Sequence, residues 1–188
     1  MAIIPGMLTP NQIKSLLRAW IARTHPVADR DVFIDELCFV DKTRRADLVL
    51  ANGKLSAFEI KSCADTLARW AGQQLAYLSC FDEVWLCCHS RHLARAIDES
   101  DSKVGIIVVD DFSGMAVIRL PKKNTAVDPY HLTGFLWREQ LEQLALESGV
   151  SLSRKVLVKD LRRSLSKLPI EILKGRVLEV LKDRYVTI

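Results

Sequence analysis

The sequence predicts an α/β fold with a mixed sheet. Three observations carry the prediction. Short runs rich in β-branched and aromatic residues recur through the first two thirds of the chain, amphipathic helical stretches separate them, and beyond residue 132 only helical patterns remain. With 188 residues, 49% apolar and 27% charged, the chain can bury the core of one sizeable domain, or of a domain with an appendage.

Taken in order, Thr9 is an N-cap with Pro10 at the first helical position, and Ile13, Leu16, Leu17, Trp20 and Ile21 follow helical spacing. That helix ends before His25-Pro26, because a residue preceding proline disfavours helical backbone. Residues 32–40, "VFIDELCFV", read as a strand, and residues 45–61 as a β-hairpin around Asn52-Gly53. Asp65 is placed as the N-cap of a helix reaching Ser79. A buried strand follows at Val84–Cys88, then a short helix over "SRHLARAIDES". Two more strands, "GIIVVDD" and "MAVIRL", are joined by a turn at Asp111-Phe112-Ser113-Gly114. The element order αβββαβαββ is that of an α/β class with a mixed sheet.

The composition changes at "PKKNTAVDP". Residues 1–121 are therefore read as the α/β core, 122–132 as a linker and 133–188 as a helical, basic extension. In the extension, helical spacing appears over 133–147 and 153–167, and Pro169 opens a last helix. Residues 151–188 carry ten Lys/Arg against four Asp/Glu, whereas residues 1–150 carry seventeen against nineteen, so the positive charge is concentrated in the extension. No apolar run is long enough to span a bilayer, and the N-terminus lacks the basic region of a signal peptide. Five cysteines without a regular framework fit reduced thiols, and the expected location is cytoplasmic.

The hairpin "RADLVLANGKLSAFEIKS" is the most informative stretch. Side chains alternate faces along a strand, so Leu48, Leu50, Phe58 and Ile60 form an apolar set, while Asp47, Glu59 and Lys61 form a polar set able to line an open cleft. A two-residue turn at Asn52-Gly53 would put Asp47 opposite Phe58 and split both sets. A three-residue loop Ala51-Asn52-Gly53, with Gly53 left-handed, puts Asp47 opposite Ala57 and diagonal to Glu59, at about 7–8 Å between Cβ atoms. The second register is the one expected. Two carboxylates at that spacing suit a hard divalent cation such as Mg²⁺ or Mn²⁺, with the Ile60 carbonyl as a further ligand. Such an ion polarises a phosphate and lowers the pKa of a bound water, and Lys61 would orient that water or offset developing charge.

These residues resemble the PD-(D/E)XK nuclease superfamily, with Asp47 standing at the acid of the second strand and Glu59-Ile60-Lys61 at the E-x-K of the third. Ala46 replaces the proline usual before the first acid. Gln73-x-x-x-Tyr77 resembles the glutamine–tyrosine helix of the RecB-like branch, and the stretch 44–88 looks most like a small bacterial and phage group within it. The resemblance implies a restriction-endonuclease-like core over residues 9–120 and Mg²⁺-dependent hydrolysis of phosphodiesters, in DNA rather than RNA, with Asp47, Glu59, Lys61, Gln73 and Tyr77 catalytic and Glu36 as a candidate extra metal-binding acid from an upstream element. The helical extension lies outside it.

Other readings have their own residues. Arg44 and Arg45, and in the extension Arg154, Lys155, Lys159, Arg162, Arg163 and Lys167, form candidate phosphate contacts, the plain alternative being solvated strand and helix surfaces. That leaves a non-catalytic nucleic-acid-binding or regulatory protein as the rival of the nuclease. An interaction module that dimerises through the leucines of the extension is a second rival. Cys87, Cys88, His89 and His92 invite a zinc reading, but adjacent cysteines on a strand point to opposite faces.

Overall fold

A computed structural model describes residues 7–24, 28, 30–151 and 155–186. It is an α/β structure built on one six-stranded mixed sheet in sequential order. The strands are β1 (Val32–Phe39), β2 (Arg44–Ala51), β3 (Leu55–Lys61), β4 (Glu83–His89), β5 (Gly105–Val109) and β6 (Met115–Arg119). Strands β1, β2 and β3 pair antiparallel, β3, β4 and β5 parallel, and β6 returns antiparallel to β5. The parallel pairs require helical crossovers. These are α2 (Trp70–Leu78) and, after a 3₁₀ turn at Ser90–His92, α3 (Leu93–Glu99).

Helix α1 (Pro10–Thr24) covers one face of the sheet. Its start has the expected cap: the Thr9 hydroxyl and amide both donate to Gln12 Oε1, and the Gln12 amide returns a bond to Thr9 Oγ1. Ile13, Leu17 and Ile21 bury against Leu48, Leu50, Phe58, Ile60, Trp85, Cys87, Ile107 and Val109. The expected apolar face of the hairpin is the floor of this layer. Gly105 is obligatory here in a steric sense, since a Cβ would stand 2.5 Å from the Trp85 ring.

The other face carries every remaining helix. Helices α4 (Pro129–Thr133), α5 (Arg138–Glu147), α6 (Val158–Leu165) and α7 (Ile170–Tyr185) contribute Leu132, Leu141, Leu144, Leu161, Leu165, Leu173, Val177 and Leu181 to one buried cluster with Ile34, Phe39, Val49, Trp70, Tyr77 and Phe81. The extension thus shares its core with the sheet. The segment expected as a linker is anchored as well. Asn124 is buried and donates to the carbonyls of Leu78 and Phe81, and the Asp128 amide donates to Ser79 O. No helix among the described residues is long and apolar enough to cross a membrane.

Four local expectations change. The helix expected over 133–147 is broken, α4 ending at Thr133 and α5 starting at Arg138, and the one expected over 153–167 starts at Val158. The hairpin loop has three residues, but they are Asn52-Gly53-Lys54, with Ala51 paired to Leu55, so each residue of β3 meets a partner two positions away from the expected one. Gly53 has φ +98°, the backbone that favours glycine. Helix α2 begins at Trp70 instead of beside Asp65, because the Asp65 carboxylate turns back to accept the Ser62 amide and hydroxyl.

Candidate functional site

A shift of two positions leaves the parity of the hairpin intact, and parity alone decides which face a strand residue occupies. Asp47, Glu59 and Lys61 therefore stand on one face, as expected, and continuing the register from Leu48↔Phe58 puts Asp47 directly across from Glu59. The face is not an open cleft. Helix α2 lies over it, and Glu59 and Lys61 are only 3% and 8% exposed. Glu59 Oε1 accepts from Lys61 Nζ at 2.5 Å and from Gln73 Nε2 at 3.2 Å, while Oε2 accepts from the Tyr77 hydroxyl at 2.5 Å. Gln73 and Tyr77, one helical turn apart, are brought to the acid as the sequence suggested. Burial, followed by the charge of Glu59, holds the Tyr77 hydroxyl well above its usual pKa, so it stays protonated and donates.

Asp47 accepts the Ile60 amide N–H at 2.7 Å. Burial, and next the charge of Glu59, raise the Asp47 carboxyl to about 6. Glu36 stands across from Asp47 in the β1–β2 register, between the pairs Asp35↔Leu48 and Leu37↔Ala46, with φ 55°. It forms ion pairs with Lys14 and Arg45, both at 2.7 Å. Together these groups make a closed polar node whose lone pairs and protons are met mostly from within the protein, a network that fixes β2, β3 and α2 in one register. The exception is Gln73 Oε1, buried without a hydrogen-bond partner. Among the described residues no three His, Cys, Asp or Glu side chains converge as a set able to hold a metal ion.

The zinc candidates separate as pleat geometry requires. Cys87 packs under α1 and Cys88 on the opposite face. Burial pushes the Cys88 thiol up to about 12 and Cys87 higher still, so both are inert protonated core residues.

The basic residues from the two ends of the sequence come together. Arg162, expected as a phosphate contact, is instead buried beneath α6. Its guanidinium donates to Thr133 Oγ1 at 3.1 Å and Tyr130 O at 3.0 Å, lies over the Tyr130 ring, and forms an ion pair with Asp41 in the β1–β2 loop. Every direction of the fork is occupied, which removes Arg162 from the set free to meet a ligand. Its pair with Asp41 has a second consequence. It seats the β1–β2 loop, with exposed Lys42, Arg44 and Arg45, beside α6, with exposed Lys159 and Arg163 and Lys155 just ahead of it. Arg163 pairs with Asp160 and Arg45 with Glu36, leaving Lys42, Arg44, Lys155 and Lys159 without an ion pair among the described residues. Arg154 lies outside the described residues.

The loop is held in an uncommon conformation. Val40, Asp41 and Lys42 are consecutive left-handed residues with φ 46°, 54° and 64°, closed by the Thr43 amide and hydroxyl, both donating to Val40 O. Left-handed backbone costs roughly 1–2 kcal/mol for a residue with a Cβ. The sequence reading passed over Lys42 and Asp41, although the run "DKTRR" was a visible concentration of charge.

Comparison with known proteins overturns the nuclease resemblance. The family model described as "Bacteriophage P4 protein cII" matches residues 7–188. "Protein cII" of Enterobacteria phage P4 is 28% identical over 182 residues, covering 95% of this chain and 69% of that protein. The match includes the hairpin and the glutamine helix on which the resemblance rested, and also the helical extension, which the resemblance left out. The assignment to the PD-(D/E)XK superfamily is therefore corrected, and with it the reading of the chain as a Mg²⁺-dependent deoxyribonuclease or hydrolase. Five residue types and two spacings recur too easily in a strand–helix context to identify a superfamily. The chain belongs to the family of bacteriophage P4 protein cII.

Proposed function

We propose that this protein is a non-catalytic nucleic-acid-binding regulator, acting by occupying nucleic acid and not by cutting it. The observation that supports the reading is the surface assembled by the Arg162–Asp41 pair. Residues 40–45 and 155–168 together carry eight Lys and Arg against two Asp. One of the eight is the buried Arg162, and the others sit at the exposed loop and along α6. A surface of this kind neutralises successive phosphates and releases counterions, which makes binding salt-dependent and largely independent of sequence. DNA is the preferred partner in this proposal and RNA the second. The node around Glu59 serves the surface from below: it fixes Arg45 through Glu36 and holds the β1–β2 hairpin against α2.

Fluorescence anisotropy with labelled duplex DNA, single-stranded DNA and RNA across a salt series tests the proposal. Lys42→Gln and Lys159→Gln should each weaken binding uniformly across sequences and lower the slope of log affinity against log salt by about 0.9 on duplex DNA. Wild-type protein that binds none of the probes at low salt, or binds with no salt dependence, would refute it.

A further inference from the structure

A cavity of about 500 Å³ lies between the β2–β3 loop, the start of β4, the segment at Lys123 and one face of α7. That volume falls in the roughly 300–1,000 Å³ range of small-molecule sites. The cavity shares no residue with the basic surface or with the node around Glu59. Its apolar lining comes from Leu55 and Leu132, both buried, and from half-buried Leu178. Two of its acids are already committed. Asp82 pairs with Lys174 at 2.7 Å and accepts the Leu55 amide at 2.9 Å, and Glu83 accepts from Lys54 Nζ at 2.6 Å and from the Ser56 hydroxyl at 3.1 Å. Two further charges of the lining, the exposed Lys123 and Glu171, have no side-chain partner among the described residues. One cation and one anion therefore remain available to an occupant.

The wall on α7 carries a second, independent mark. Glu171, Lys174, Gly175 and Leu178 follow i, i+3, i+4, i+7 spacing, so they share the helix face that lines the cavity. Glycine is the poorest helix former after proline, yet Gly175 stands in the interior of this long helix. Its φ is not in the left-handed region, and a Cβ there would meet no atom within 4 Å. Neither backbone conformation nor packing within the protein calls for glycine, and its effect is to leave the middle of the wall open. We infer that the cavity binds a free amino acid with an aliphatic side chain, its carboxylate at Lys123, its ammonium at Glu171 and its side chain over Leu132 and Leu178 beside Gly175. The balance of charge selects this class. A simple anion would lie against Glu171, Asp82 and Glu83, and a simple cation against Lys54, Lys123 and Lys174, whereas an amphoteric molecule meets both unpaired groups with the opposite sign.

Titration of the isotope-labelled protein with L-leucine, followed in amide correlation spectra without nucleic acid, is the test. The Gly53 and Gly175 amides should shift saturably, while those of Lys42 and Lys159 stay in place. Isocaproate, which lacks the ammonium, and leucinamide, which lacks the carboxylate, should each bind about threefold or more weakly, the size expected of ion pairs at exposed residues. Lys123→Gln should erase the preference for leucine over leucinamide, and Glu171→Gln the preference over isocaproate. Gly175→Leu fills the wall and should abolish the response of Gly53 while raising thermal stability, since leucine is the better helix former, so the loss of binding is not a loss of fold. Gly53 and Gly175 amides that do not respond to leucine, or that respond equally to leucine, leucinamide and isocaproate, would overturn the inference. So would a Gly175→Leu variant that binds leucine as wild type does.

Discussion

Asp47 illustrates how one residue couples the buried node to solution conditions. Its carboxyl titrates near 6 in the native protein against 3.8 for an ordinary aspartate. Because the native state holds the proton more tightly, it binds more protons than the unfolded chain between these values, and stability falls as pH rises through that window. Above it the ionised group carries its full cost, up to about 3 kcal/mol from the size of the shift. Asp47→Asn keeps an oxygen for the Ile60 amide and removes the titration. The stability of the variant relative to wild type, from urea unfolding, should grow between pH 4 and pH 7 and level off above. Arg162 makes the opposite case, a charge whose value lies in being held. Arg162→Met leaves Tyr130 O without its donor and frees the β1–β2 loop, so unfolding stability should drop by about 2–4 kcal/mol. Arg163→Gln, one position on and exposed, should leave stability within about 0.5 kcal/mol of wild type. Arg162 also marks a limit of sequence reading. Nothing local distinguishes it from Arg163, and its partner Asp41 is 121 positions away.

Secondary-structure elements were legible wherever a local signal had no competitor. The Thr9 cap, the alternating strands and the proline before α7 all act within a few residues, and each element stands where those signals put it. Helix α2 was misplaced at its start because an aspartate can cap forward or close a turn backward, and Asp65 does the second. The hairpin shows why a faulty register still yielded a correct face: a displacement of two positions preserves parity. What no local pattern could give was the cover. Tyr77 and Gln73 were expected beside an open cleft, and they close it. At this scale the helical extension makes a direct prediction. Its leucines complete the core that Ile34 and Phe39 begin. A chain ending at residue 121 would leave that face in water. It should lose cooperative thermal unfolding and bind hydrophobic dyes, whereas a truncation that folds cooperatively would show the sheet and α1–α3 to be self-sufficient.

For the whole molecule, the candidate site divides into a part that the sequence revealed and a part that only the fold creates. Asp47, Glu59, Lys61, Gln73 and Tyr77 do converge, but Lys61, Gln73 and Tyr77 all donate to Glu59, and Asp47 accepts the Ile60 amide, so the residues that suggest metal chemistry are also held in a polar network. Residue identity alone does not separate these uses. The basic surface, in contrast, exists only because two segments more than a hundred residues apart share an ion pair. The central claim is that this surface binds nucleic acid without cleaving it. Incubating the protein with end-labelled duplex DNA at low salt and 5–10 mM Mg²⁺ or Mn²⁺ (about tenfold or more above the weak Kd of ordinary carboxylate sites), then resolving each reaction on native and denaturing gels, is the decisive experiment. A non-cleaving binder gives a retarded complex on the native gel that dissolves as salt rises, with full-length strands on the denaturing gel. Strand cleavage lost in Asp47→Ala and Lys61→Ala, or no retarded complex at any salt concentration, would contradict that claim.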